Sequence, residues 1–363
     1  MLNDQQNHWE ALLGLTPERR PLSLPSRDIE GKTVLITGAG GSIGSTLAHE
    51  LAGLRPRRIL LLDASEQSLY RIDRDLGAPH AAILGSVCDR ALLDELFDRH
   101  QPQIVFHAAA FKHVPLMEFN PFAAVENNAL GTFILAQSAA GHRSAQLVMV
   151  STDKAVEPVS IMGASKRIAE LIILAMDGKA VRLGNVLASE GSVLPLFQSQ
   201  LDRGQPLSIT HPEASRYFLT MKRAAHLLIL ALCEEFPPGI LVPELGEPQR
   251  IREIAQRMLA SVEETSEPRI VYTGLRPGEK LTEKLISNRE AYRGENGSPL
   301  RPIHSDGPPL SGLQSSMHEI EAAVRQRNLS RLLRAVSKLV PDYRPSAVIH
   351  SALDEQMAAG ANR

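Results

Sequence analysis

Apolar residues in the first half of the chain fall into short runs separated by longer stretches of helical period. The runs occupy residues 33–37, 58–63, 81–85, 103–109, 145–151 and 180–186. Between them, residues 89–99, 122–140 and 163–176 carry apolar positions at helical spacing. Apolar strands alternating with helices predict a parallel sheet covered on both faces and linked by right-handed crossovers, a doubly wound α/β fold. Past residue 185 this rhythm fails. Helices at 221–235 and 252–259 alternate there with short extended pieces and frequent Gly and Pro. The expected organisation is an N-terminal extension over 1–30, a doubly wound domain over 31–187, and a smaller substrate-binding region with a helical tail over 188–363. The extension holds a short helix-like WEALLGL and a proline-rich crossing at 17–25. Residues 293–309, rich in Gly, Pro and Ser, are expected as a loop. The tail beyond them has an amphipathic stripe of Ile320, Val324, Leu329, Leu332, Leu333, Val336 and Leu339.

The first strand runs into KTVLITGAGGSIGS, where Gly38, Gly41 and Gly44 recur every third residue and Ser42 and Ile43 open a helix. Glycine here permits a sharp turn, close approach to a pyrophosphate and tight packing of helix on strand. The exposed N–H groups and positive end of that helix favour phosphate. The second strand ends at Asp63, about 20 residues beyond the glycines, where an acid holds a ribose diol. A carboxylate there repels a 2′-phosphate, so the pattern predicts a Rossmann-type site for NAD rather than NADP. Arg57 and Arg58 precede that strand, and Arg71 and Arg74 fall on the following helix.

Bulk properties narrow the classes of function. The 363 residues are 43% hydrophobic and 22% charged, with a net charge of −2, so a globular protein without a nucleic-acid surface is expected. The two cysteines, Cys88 and Cys233, form no spaced motif and fit a reducing compartment. No apolar run reaches roughly 18 residues and no signal-peptide pattern opens the chain. The expectation is a cytoplasmic protein without a transmembrane segment.

Ligands of such a fold lie beyond the carboxyl ends of the strands, and three polar clusters occur there. The first is HAAAFKH, in which Ala108 and Ala109 permit close approach of a cofactor while Lys112 and His113 could face a sugar or phosphate. Its two histidines lack a matching carboxylate or cysteine pattern, so no metal is expected. The second is Ser151-Thr152-Asp153-Lys154, followed by Met162 and Lys166, four apart on one helical face. The third is Arg182-Leu183-Gly184-Asn185-Val186.

The motifs TGAGGSIGS, HAAAFKHVPLME, NNALGT, VSTDKAVEPVSIMGASKR, VRLGNVLASEGSVLPLF, HPEASRYFLT and GLRPGEK follow in this order. Together they resemble the extended short-chain dehydrogenase/reductase superfamily. More narrowly, they are similar to its polysaccharide-biosynthesis branch, the nucleoside-diphosphate-sugar 4,6-dehydratases acting on UDP-N-acetylglucosamine-like substrates. The resemblance covers residues 11–285. ALLGLTPERRPLSL is similar to the linker preceding the catalytic half of the long, membrane-anchored members, so the chain resembles a free-standing catalytic half.

The resemblance implies residue roles. Lys166 is the lysine that holds the nicotinamide ribose, and Met162 stands where the superfamily usually has its tyrosine. A thioether has no proton to exchange and accepts weakly. The first base is therefore open among Asp153, a water held by Thr152, and a substrate group. Oxidation at sugar C4 by NAD acidifies the C5 proton, water leaves from C6, and hydride returns there to give a 4-keto-6-deoxy sugar, with inversion at C5 in some members. By position Lys154 is the C5 base and Asp153 the acid at the C6 oxygen. The two assignments are coupled, because Lys154 must lose a proton while Asp153 holds one. Lys112, His113, Asn185, Arg216 and Arg276 match positions near the nucleotide sugar, and Asn128 matches the asparagine that organises the cofactor site and active-site helix. Ala188 and Glu190 depart from the family, which often has glycine and a neutral or basic residue there. Helices 122–140 and 163–176 commonly form a four-helix contact in this superfamily, which implies a homo-oligomer. The competing readings are a 4-epimerase or 4-ketoreductase sharing the cofactor site, and a non-catalytic NAD-binding scaffold.

Overall fold

A computed structural model describes residues 9–14, 22–142, 146–233, 235–260, 270–293, 298–305 and 307–361. The six expected strands form as β1 (Thr33–Thr37), β2 (Arg58–Asp63), β3 (His80–Leu84), β4 (Ile104–His107), β5 (Gln146–Thr152) and β6 (Lys179–Leu183). They run parallel in the order β3-β2-β1-β4-β5-β6. The order reverses between β1 and β4, which opens a crevice at their carboxyl ends.

The sheet continues past the sixth strand. Gly239–Pro243 adds parallel to β6, and Leu300–His304 and Ala291–Tyr292 follow antiparallel. Residue 187 therefore does not bound the sheet, which takes these strands from the stretch read as a substrate region. The loop expected at 293–309 needs the same correction, since Leu300–His304 is a strand. Pro302 disguises it, because proline supplies no N–H to a ladder and is confined to strands near an edge. Among the described residues only the two-residue Ala291–Tyr292 lies outside this strand, and burial of Leu300 and Ile303 in different core clusters anchors it. Residues 294–297 and 306 of that stretch lie outside the described residues. So do residues 1–8 of the extension and 15–21, the first part of its proline-rich crossing.

Strand side chains alternate in direction, so a sheet buried on both faces divides its residues between two cores. Leu35, Leu60 and Leu62 join one cluster, with the helices Arg90–His100, Gly131–Gly141 and Ile161–Ala175. Val34, Ile36, Ile59 and Leu61 join the other, with the helices Ser42–Ala52 and Met221–Leu230. A third cluster unites Leu187, Phe197, Leu207, Phe218 and Ile254 with Trp9 and Leu13, so the N-terminal helical turn packs on the smaller lobe. No helix among the described residues is long and apolar enough to cross a membrane.

The tail forms helices Leu310–Arg325 and Leu329–Leu339, and its stripe is turned inward, with Ile320, Leu332 and Val336 fully buried. These helices pack on Ile161–Ala175 and on Pro121–Val125 with the following π-turn Glu126–Leu130. Arg327 caps the contact with its guanidinium 4.6 Å from the Phe122 ring centre. The tail's apolar stripe thus packs on parts of both helices expected in an inter-subunit contact.

Beneath the crevice, one buried cation ties four segments together. Arg182 of β6 donates from Nε and Nη2 to the two oxygens of Glu170, each at 2.8 Å. It also donates to both oxygens of Glu290, at 2.7 and 2.8 Å, and to the Leu285 carbonyl at 3.0 Å. Glu170 in turn accepts from Ser151 of β5 at 2.6 Å and from Arg167 at 2.8 Å. Despite burial, the Arg182 charge beside it holds the Glu170 carboxyl down at about 2, so the cluster stays ionised. Removing one member of such a cluster strands the others. Arg182→Ala should therefore lower the unfolding free energy by about 3–5 kcal/mol, read from the urea midpoint, and Arg182→Lys, which cannot fork, should recover only part of it.

Candidate active site

The glycine turn after β1 meets the turn after β4 at the switch point. Gly38 has φ +66°, and a Cβ there would lie 2.6 Å from the Ala109 nitrogen. A Cβ on Gly44 would lie 2.1 Å from the Gly38 carbonyl oxygen, so both positions require glycine for close packing. Gly41 precedes the helix Ser42–Ala52 and offers no side-chain cap, which leaves the first-turn N–H groups for another acceptor. Ile43 packs partly into the core beneath. Asp63 is aimed by two backbone donors, Gly40 N–H at 2.9 Å and Ser65 N–H at 2.8 Å, so its carboxylate and the glycine turn are fixed relative to each other.

The floor comes from β1, β4 and the helix Ile161–Ala175, whose N-terminus is capped by Ser160 accepting from Gly163 N–H at 3.1 Å. His107 is buried between Thr37 Oγ1 at 2.7 Å and Thr132 Oγ1 at 2.9 Å. Burial, then the Lys166 charge, pushes it to about 3, so it is a neutral bridge. Lys166 is only 5% exposed, and no described residue hydrogen-bonds its Nζ. Burial lowers it to about 8 against the opposing pull of Glu170. Met162, one turn earlier at the position of the superfamily's tyrosine, is 2% exposed and packs within the core.

Asn128 is buried beside this helix. In the π-turn Glu126–Leu130, its Oδ1 accepts from Phe111 N–H at 2.8 Å and Asn127 Nδ2 at 3.0 Å. Its Nδ2 donates to the Phe111 carbonyl and to Ser165 Oγ, each at 3.0 Å. All four hydrogen-bonding sites of the amide are used. Asn128 therefore clamps the 108–112 loop to the active-site helix and has no site left for a cofactor.

Asp153 and Lys154 follow β5. Asp153 is fully buried; its Oδ1 accepts from Thr152 Oγ1 and from Lys154 Nζ, both at 2.9 Å, while its Oδ2 has no partner. Lys154 Nζ also donates to Asn185 Oδ1 at 3.1 Å and lies 3.9 Å from Glu283. Burial works against the ammonium, but Asp153 and Glu283 outweigh it and hold Lys154 above its ordinary value.

Lys112 and His113 stand at the mouth. Partial desolvation, then the Lys112 and Arg276 charges, lowers His113 against the pull of Glu190. Glu190 N–H donates to Ser42 Oγ at 3.3 Å, and its carboxylate points outward, 3.7 Å from Arg71. Arg276 spends Nε and Nη2 on Glu279 and stays half-exposed. Arg216 is the clearest departure. It is buried and donates to the carbonyls of Ser215, Lys280 and Leu281, so its fork is directed at backbone rather than at open cleft.

Sequence reasoning missed Glu170 and Glu283. Glu170 lies four residues beyond Lys166 on one helical face, a spacing that could have flagged it. Glu283 sits in the charged run EKLTEK, where nothing distinguishes a buried acid from a solvated one. The glycine cradle, the oriented Asp63 and the unpartnered, buried Lys166 suit a dinucleotide laid across the switch point.

The model of the polysaccharide biosynthesis protein family matches residues 34–300. The chain is 40% identical over 297 residues to the capsular polysaccharide biosynthesis protein CapD of Staphylococcus aureus, covering 78% of this chain and 50% of that protein. It thus spans about half the length of that relative. It is 32% identical over 296 residues to the UDP-glucose 4-epimerase of Rickettsia rickettsii, covering 77% of this chain and 85% of that one. The crystal structure of DesIV, a dTDP-glucose 4,6-dehydratase from Streptomyces venezuelae with NAD bound, superposes with a TM-score of 0.62. The two share 22% identity over 70% of this chain and 88% of that one, a likeness of fold. By family match and by identity over most of its length, the chain belongs to the polysaccharide biosynthesis protein family, built on the Rossmann fold of extended short-chain dehydrogenases/reductases.

Proposed function

We propose that the chain is an NAD-dependent nucleotide-sugar 4,6-dehydratase, converting a UDP-N-acetylglucosamine-like substrate to a 4-keto-6-deoxy sugar for surface polysaccharide or glycan precursors. The observation that carries this reading is the Asp153–Lys154 couple at the end of β5. Gly38, Gly41, Ser42, Ile43 and Gly44, with Ala108 and Ala109, would hold the pyrophosphate of NAD, Asp63 its adenosine ribose and Lys166 its nicotinamide ribose. When bound, NAD supplies the oxidation at sugar C4 that acidifies the C5 proton, and its later reversal at C6.

The residues then have defined work. Moving one proton from Lys154 to Asp153 converts an ion pair into an amine and a carboxylic acid without changing net charge. That single step yields both a base for C5 and an acid for the C6 oxygen. The unpartnered Asp153 Oδ2 is free to carry the proton. Thr152 holds the other oxygen, and Asn185 steadies the lysine. Lys112, His113 and Arg276 supply cationic or polar groups for the sugar nucleotide's diphosphate at the mouth, with Arg216 bracing the wall behind them.

A 4-epimerase is the second reading, favoured by the likeness to the Rickettsia enzyme. It needs no acid at C6 and leaves the Asp153–Lys154 couple without a task.

Purified protein incubated with UDP-N-acetylglucosamine and NAD in heavy water should yield a product lighter by one water, with a C6 methyl signal and deuterium at C5 by NMR. A product of unchanged mass would favour the epimerase, and bound NAD with no altered sugar would favour a scaffold. Lys154→Met should cut elimination by about 10²–10⁴-fold while calorimetry finds NAD binding little changed; undiminished turnover would remove it as the base. Lys166→Met separates function from stability. Burial already disfavours the ammonium, so the variant should keep its stability against urea and lose NAD affinity. The wild type should itself gain stability as pH rises from about 8, because the unfolded chain holds that proton longer, and Lys166→Met should flatten this rise.

A further inference from the structure

The Lys154 ammonium faces two carboxylates. Asp153 lies at 2.9 Å, and Glu283, outside every motif considered above, at 3.9 Å. The Glu283 side chain is 3% exposed, and its other oxygen lies 3.3 Å from Lys280 Nζ. Lys280 also donates to the Val156 carbonyl at 2.6 Å, which ties it to the turn beyond Lys154. The backbone around Glu283 is pinned as well. Thr282 bridges to Ser215, and the Arg216 guanidinium grips the carbonyls of Lys280 and Leu281. A buried acid is unfavourable unless its charge is matched, and here the matching charges are Lys280 on one oxygen and Lys154 beside the other.

We propose that Glu283 is a positioning residue for the reaction: the second carboxylate that orients the Lys154 ammonium and sets its charge, with Lys280 as its counterion and Arg216 as the brace of its segment. The proposal rests on the elimination reading, which gives Lys154 its task. Every charged group facing Lys154 enters the balance. Asp153 and Glu283 attract its proton, Arg216 repels it, and Lys280 offsets part of Glu283; Thr152 and Asn185 contribute neutral oxygens nearby. Glu283 thereby weights the Asp153–Lys154 couple toward the ion pair and makes Lys154 hold its proton to higher pH. This also gives Arg216 a role consistent with its geometry: it holds the strand of chain that carries the acid.

Competitive labelling of the full chain with acetic anhydride across pH, quantified at Lys154 by mass spectrometry, measures this charge without any substrate. In Glu283→Gln the midpoint of Lys154 labelling should fall by about 1–3 pH units, the range for loss of an opposite charge at this distance. Glu283→Asp should recover part of the shift. Lys280→Met, which unscreens Glu283, should move the midpoint upward. An unmoved midpoint in Glu283→Gln overturns the proposal. If that variant fails to fold by circular dichroism, an unmoved or lowered midpoint in Lys280→Met overturns it instead. With UDP-N-acetylglucosamine, the acid limb of kcat/KM should shift in the same direction as the labelling. A labelling shift in a protein that turns over no sugar would sink the dehydratase reading and leave the electrostatic role of Glu283 standing.

Discussion

The five donors of Arg182 are the constraint on which the crevice depends. They are satisfied by Glu170 on the active-site helix, by Glu290 and by the Leu285 carbonyl, all away from water. Both halves of the proposed chemistry hang from that helix carboxylate. Lys166 sits one helical turn before Glu170, and Ser151, which donates to Glu170, immediately precedes Thr152-Asp153-Lys154. A well-packed apolar cluster of equal volume would stabilise a sheet as well or better. What the ionic cluster adds is registration, because a forked cation donates to its carboxylates in one geometry only.

Two lysines close to that cluster meet opposite fates for one physical reason. Lys166 is enclosed without a carboxylate in contact, and desolvation weakens its hold on a proton. Lys154 is enclosed between Asp153 and Glu283, and their charges outweigh the same desolvation. Burial alone does not decide the state of a cation; the position of the nearest carboxylate does. The site therefore contains one lysine whose hold on its proton is weakened and another whose hold is strengthened, on the helix Ile161–Ala175 and at the end of β5.

The sheet's first six strands were legible because each is a short apolar run, and because residues such as Val34 and Leu35 are buried on opposite faces. Leu300–His304 was not, since Pro302 reads as a breaker in any local window and only pairing with Gly239–Pro243 makes it a strand. Among site residues, the glycines and Asp63 could be read from spacing alone, as their work is done by backbone geometry. Arg216 and Asn128 could not. Their positions near the crevice were right, but their hydrogen bonds are spent on protein atoms, and no sequence pattern records where a side chain's donors end. Glu283 was invisible for the complementary reason: an acid in a charged run shows its burial only once the chain segments around it are in place.

The tail helices have a consequence for how this fold responds to dilution. A helix face that relies on a second molecule loses its cover as concentration falls, whereas Leu310–Arg325 and Leu329–Leu339 are tethered to the face they cover. Tethering by a short segment corresponds to an effective concentration on the order of millimolar, independent of how much protein is present. The part of the Lys166 helix that these tail helices cover therefore keeps that packing in a single molecule at any concentration.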